Sequence, residues 1–186
     1  MKKLLLHICC APCSTHAIEF LKSKYDLVLF FPNSNICPEG EFKKRSENAK
    51  KITGIFNLKL IIDNYCHEEW LEFVKGLEDE PEKGKRCWKC FEFNLRKTAE
   101  KARELGFDCF TTTLTISPHK DSKKIFEIGK KLETGGIRFL DIDFKKQEGF
   151  RHSVELSKKY DLYRQNYCGC EFSLRSSIAS PKLKNL

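Results

Sequence analysis

The chain has 186 residues, enough for one domain with a core of its own, so its ten cysteines are not needed to hold it together. Charged residues make up 32% and hydrophobic residues 40%, a balance that argues against disorder. The formal net charge of +8 leans toward a polyanionic partner but carries no information about fold.

In chain order, Lys2–Cys9 reads as a short buried strand, Ser14–Lys24 as a helix and Asp26–Phe31 as a second strand closed by the turn Pro32-Asn33-Ser34-Asn35. A polar helix is predicted from about Glu39 to Thr53, stopped at Gly54. Leu58–Ile62 reads as a strand, His67–Leu77 as a helix, Glu78–Arg86 as a charged loop and Trp88–Leu105 as the longest helix. Strand Cys109–Leu114, helix Asp121–Glu133, strand Ile137–Leu140 and helix Gly149–Lys159 follow, with an irregular, aromatic-rich tail from about Tyr163. Strands separated by helices of this length imply a mostly parallel α/β sheet, wound as a single domain over 1–186. In such sheets a ligand sits beyond the carboxyl ends of the strands.

The apolar run Leu4-Leu5-Leu6 is too short for a secretory leader, and no segment approaches the ~20 apolar residues of a membrane span. A cytoplasmic, reducing setting is therefore expected, where clustered cysteines mean metal or redox chemistry more often than disulfide staples. Three of them, Cys9, Cys10 and Cys13, fall in the first strand–helix turn, where a phosphate-binding loop would carry glycine. The positive end of a helix dipole there favours thiolate, the form that ligates metal.

A second pair, Cys87 and Cys90 in Arg86-Cys87-Trp88-Lys89-Cys90, has the spacing that puts both thiols on one side of a first helical turn. Together these segments offer up to five thiolates, which suits a four-ligand zinc ion and a [4Fe–4S] cluster equally well. The third group, Cys168-Gly169-Cys170, fits a small reducible disulfide that stores two electrons, or two further metal ligands. Cys109 reads as core, and Cys37 and Cys66 as incidental; His7 and His16 are near enough to the thiols to ligate but read more readily as packed histidines.

Beyond the cysteines, Thr111 to Asp121 joins a strand end to a helix start, either as an anion site involving His119 and Lys120 or as ordinary strand threonines with Asp121 or Ser122 as a cap. Tyr163, Arg164, Gln165, Tyr167, Phe172 and Arg175 either stack an unpaired base or simply pack the tail. Asp141 and Asp143, after a strand end, are candidate proton donors.

The blocks HICCAPCS at 7–14, FPNSNICPEGEFKKR at 31–45, RCWKC at 86–90, GFDCFTTTLTISPHKD at 106–121 and YRQNYCGCEFS at 163–173 resemble the QueH-type epoxyqueuosine reductase family, in order and over nearly the whole chain. The resemblance implies a Rossmann-like fold similar to the adenine nucleotide α-hydrolases, without a glycine-rich ATP loop. It implies cobalamin-independent reduction of epoxyqueuosine at the wobble position of tRNA, with electrons from a donor of unknown identity. By the same match Cys9, Cys10, Cys87 and Cys90 would hold a [4Fe–4S] cluster and Cys168 and Cys170 would form a redox-active pair in the tail. Cys13 falls outside that set and is a candidate ligand for an additional mononuclear metal ion. Two rival readings are a sulfur-transfer enzyme acting on tRNA, against which the missing ATP loop argues, and a non-enzymatic zinc module that binds RNA.

Overall fold

The computed structural model describes residues 1–179. Five strands, β1 (Lys3–His7), β2 (Asp26–Phe31), β3 (Lys59–Ile62), β4 (Cys109–Thr112) and β5 (Arg138–Phe139), form one sheet in the order β3-β2-β1-β4-β5, with every neighbouring pair parallel. This is a Rossmann-like winding, and its order reverses at β1, whose two neighbours arrive from opposite directions along the chain. Among the described residues no helix is long and apolar enough to cross a membrane.

Alternation along β1 explains the three layers. Leu4, Leu6 and Ile8 pack with Ala17, Ile18 and Leu21 of α1 (Ala11–Leu21) and with Ala49 and Ile52 of α2 (Glu39–Phe56). Leu5 points the other way, to Phe91, Leu95 and Ala99 of α4 (Lys85–Glu104) and Ile125 of α5 (Ser122–Lys131). All four residues are fully buried, each contributing about 1.5–3 kcal/mol on transfer from water. A strand buried on both faces reads as the continuous apolar run that the sequence displays. Two further helices, α3 (His67–Phe73) and α6 (Gly149–Lys159), complete the layers.

Several boundaries differ from expectation. Helix α2 runs through Gly54 to Phe56; it ends at Asn57, whose left-handed φ of 51° lets its N–H reach the Thr53 carbonyl. Helix α3 stops at Phe73 rather than Leu77. Strand β4 turns at Thr112, whose hydroxyl accepts the Leu114 N–H and starts a 3-10 turn over Thr113–Ile116. The tail is not wholly irregular, because α7 spans Glu171–Ala179. Helix α1 begins at Ala11 and α4 at Lys85, so both cysteine motifs lie at helix N-termini.

Candidate metal and redox centre at the sheet switch point

The carboxyl end of β1 delivers Cys9, and Cys10 caps α1 with extended backbone. The sulfurs of Cys9, Cys10 and Cys13 all lie within 4.8 Å of one another, with Cys9 and Cys10 4.0 Å apart. Such spacing in one helical start is what a shared metal requires. Their protonation is uneven. Hydrogen bonds from Cys10 and Cys13, with the charge of Lys120, hold the Cys9 thiol well below its ordinary range. Cys13's hydrogen bond favours a Cys10 thiolate, but its bond to Cys9 and burial outweigh this and push Cys10 up to about 12. Cys13 is raised well above the thiol range by its bonds to Cys10 and Cys9 and by burial. One thiolate is thus solvated by two thiol protons, which a bound cation would displace.

Beneath this group His7 is fully buried and is lowered to about 4, chiefly by burial, so it stays neutral. Asn33 donates from Nδ2 to the Ile8 carbonyl at 2.7 Å, which leaves its Oδ1 to accept from His7 Nε2 at 3.3 Å. The Thr112 hydroxyl lies 2.7 Å from Nδ1. Both ring nitrogens are engaged within the core, so His7 supports the cysteine turn and is not a ligand. His16 Nδ1 lies 3.1 Å from His152 Nδ1, and His16 is not part of the Cys9, Cys10 and Cys13 group.

Cys87 and Cys90 occupy the first turns of α4. The Lys83 N–H approaches Cys87 Sγ at 3.3 Å, and Asn94 Nδ2 lies 3.8 Å from Cys90 Sγ. Burial raises both thiols, and the nearby charge of Cys168 raises them further. Arg86 is almost entirely buried and donates to the carbonyls of Leu77, Glu78 and Glu80, gathering the charged loop that precedes the helix.

The three cysteine groups converge. One cavity is lined by Cys9, Cys90 and Cys168 together with Asn33, Asn35, Arg45, Asn94 and Lys120. A separate groove between α4 and α5, lined by Trp88, Lys85, Lys124 and Glu127 among others, holds no thiol. Burial would lower the Lys120 ammonium, but neighbouring cysteine charge, that of Cys168 first and then Cys9, holds it above the lysine range. His119 is exposed beside it. Of the neighbouring threonines, Thr111 and Thr115 bond the carbonyls of Leu140 and Ile142, and Thr113 approaches Cys9 Sγ at 3.8 Å. Asp121 caps α5, accepting from the N–H groups of Lys123 and Lys124, while Lys120 and Thr113 lie beside the thiols.

Cys168 is exposed and Cys170 half-buried, both as free thiols, and burial pushes Cys170 up to about 11. Arg45, 2% exposed, pairs with Glu41 at 2.7 Å and donates to the carbonyls of Cys168 at 2.8 Å and Tyr167 at 3.3 Å. Gly169 has φ +152°, and an added Cβ would lie 3.3 Å from Arg45 Nη1, so only glycine suits this crossing. The tail aromatics are structural anchors here: the Tyr163 hydroxyl donates to Glu41 and that of Tyr167 to the Cys37 carbonyl at 2.6 Å. Asp141 pairs with Lys130 at 3.6 Å, Asp143 accepts from Ser122 at 3.0 Å, and neither lines the cavity. Arg45, Asn35 and Asn94 were not singled out as site residues from sequence; they come from α2, the loop after β2 and α4, and no local pattern joins them.

The family model for epoxyqueuosine reductase QueH matches residues 4–176. Relatives described as "Epoxyqueuosine reductase QueH" include one from Streptococcus pyogenes serotype M1, 44% identical over 181 residues, covering 92% of this chain and 70% of the relative. Another, from Thermotoga maritima, is 40% identical over 178 residues and covers 94% of this chain and 91% of the relative. Among solved structures, the crystal structure of a predicted subunit of tRNA methyltransferase from Methanocaldococcus jannaschii aligns with TM-score 0.53 and 14% identity, over 82% of this chain and 76% of that one. That likeness concerns the Rossmann-like fold alone. With the family's match running from the first strand into the last helix, the chain belongs to the epoxyqueuosine reductase QueH family.

Proposed function

We propose that this chain reduces epoxyqueuosine to queuosine at the wobble position of tRNA, with a [4Fe–4S] cluster on Cys9, Cys10, Cys87 and Cys90 and with Cys168 and Cys170 as a two-electron store. The observation that carries the reading is the single cavity to which all three cysteine groups and Lys120 contribute. The donor set suits such a cluster: thiols at two helix N-termini, of which Cys9 and Cys90 line one cavity and Cys9 and Cys10 lie within 4.8 Å of each other, with protons that a cationic core would displace. Cys13 then remains for an additional mononuclear metal ion. When bound, the cluster supplies one-electron transfer and a Lewis-acidic metal.

The chain's own residues supply the rest. Converting the Cys168 and Cys170 thiols to a disulfide releases two electrons and two protons. Removing the epoxide oxygen as water while its two carbons form a double bond consumes the same number. One epoxide and two thiols therefore give one alkene, one disulfide and one water, and an external electron donor must restore the dithiol. Lys120 holds a proton at Nζ beside the Cys9 thiolate, and we assign the proton-supplying role to it rather than to Asp141 or Asp143, which are paired elsewhere. The +8 net charge favours encounter with tRNA.

The test is anaerobic turnover with tRNA bearing epoxyqueuosine, followed by nucleoside mass analysis beside iron and sulfide assays. Conversion to the species lacking one oxygen, lost together with the cluster in Cys9→Ala, is expected. Undiminished conversion by a cluster-free variant would overturn the reading.

A further inference from the structure

Cys37, expected to be incidental, lies beside two other metal-binding side chains. Its sulfur, a His67 ring nitrogen and a Glu171 carboxylate oxygen all lie within 4.8 Å of one another. They come from three separate places: the loop after β2, the first residue of α3 and the first residue of α7.

With a neutral ring the His67–Glu171 contact lacks a positive charge. His67 Nδ1 is 2.7 Å from the Ser34 carbonyl oxygen, which only accepts, so Nδ1 carries a proton. The Nε2 lone pair of a neutral ring then faces Glu171 Oε1 at 3.1 Å. Two acceptors at that distance need positive charge between them, which either a second ring proton or a metal ion supplies. The second carboxylate oxygen, Oε2, is buried with no hydrogen-bond partner. An Nδ1–H bonded to a backbone carbonyl is the arrangement that orients a metal-ligating histidine through Nε2. The ring is further fixed between Tyr65, stacked at 9°, and Trp70 at 21°. Its side chain is 13% exposed and that of Glu171 20%, sheltered yet open to an ion from solvent. Cys37 is held by its N–H on the Gly169 carbonyl at 2.9 Å and by the Tyr167 hydroxyl on its own carbonyl.

We propose that Cys37, His67 and Glu171 form a binding site for one divalent first-row transition ion of the Zn²⁺ or Fe²⁺ class. One thiolate, one imidazole and one carboxylate suit such ions and not Mg²⁺ or Ca²⁺. Around a tetrahedral ion these donors lie about 3.4–3.6 Å apart, so the observed grouping needs an adjustment of about 1 Å. Three protein ligands leave one position for water. Glu171 directly follows Cys170, so the ion ties the segment bearing Cys168 and Cys170 to the loop after β2 and to α3. The site is separate from the Cys9, Cys10 and Cys13 group and does not depend on the cluster assignment.

The probe is Zn²⁺ added to the anaerobically prepared full chain, followed by calorimetry and zinc-edge X-ray absorption, with iron and sulfide assayed on the same samples. One equivalent with a shell of one sulfur and the remainder nitrogen or oxygen is expected. Binding weakens about 100-fold or more in His67→Gln and in Glu171→Gln, and persists in Cys13→Ala. Unaltered binding in both His67→Gln and Glu171→Gln overturns the site, as does a sulfur-rich zinc shell or loss in Cys13→Ala. Thermal melting of the zinc-free variants confirms that they fold; only the rise in melting temperature on adding zinc should disappear. Iron and sulfide at wild-type levels in these variants keep the fate of the cluster separate from that of the zinc.

Discussion

The thiols at 9–13 and 87–90 and those at 168–170 reach one cavity from supports of different build. The first two sets stand on the sheet frame: the end of a strand bonded on both sides and the N-terminal turns of two helices whose inner faces are fully buried. The last pair stands between two helices on a bend with no strand to hold it, fixed by Arg45, by the Cys37–Gly169 backbone bond and by Ser173, which accepts the Cys168 N–H at 3.0 Å. A frame that cannot shift suits ligands of an inorganic core, because coordination tolerates little error in distance. A bend held by a few polar contacts suits sulfurs that must approach one another and separate again.

The largest expected difference separates Cys87→Ala from Cys168→Ser. The first loses visible cluster absorbance and turnover together; the second keeps the absorbance while turnover over many cycles falls by about 100-fold or more. Each percentage of cluster lost in Cys168→Ser would weaken the division of labour, and an unimpaired rate would remove it. Next, Arg45→Lys retains a charge but loses the fork that joins Glu41 to the Cys168 carbonyl. About 1–3 kcal/mol of stability should go, read from urea unfolding, with faster alkylation of Cys168 and unchanged iron content. Equal alkylation rates would show that Arg45 does not hold the bend. Smallest, Asp121→Ala removes the cap of α5 beside Lys120 and costs about 1 kcal/mol in the same unfolding assay, with metal content untouched.

Much of this was legible in the chain. The strand runs Leu4-Leu5-Leu6 and Asp26–Phe31 announce a doubly covered parallel sheet, and helices placed between them leave little other topology. The cysteine spacings mark the candidate site because few soluble proteins place three thiols in five residues at a helix start. Arg45 was hidden because a buried arginine looks, in sequence, like one more charge on a polar helix; only the fold turns it toward Cys168. His67 and Glu171 were hidden for a related reason: they are 104 residues apart, and no local pattern joins them to Cys37. The helix at Glu171–Ala179 was missed because its short, weakly amphipathic run resembles loop, and packing of Phe172 beside Trp70 supplies what propensity does not.

The parallel register of β1 also constrains the order of events at birth. Leu4 is bonded on one side to Leu27 and on the other to Cys109, so the first strand waits for an edge made more than a hundred residues later. Cys9 and Cys90 cannot face one another until that late strand has emerged and docked. On the proposed cluster assignment, iron loading during synthesis is thereby disfavoured, and the natural recipient for an iron–sulfur donor is a finished, thiol-rich apoprotein that must survive unoxidised until it is filled.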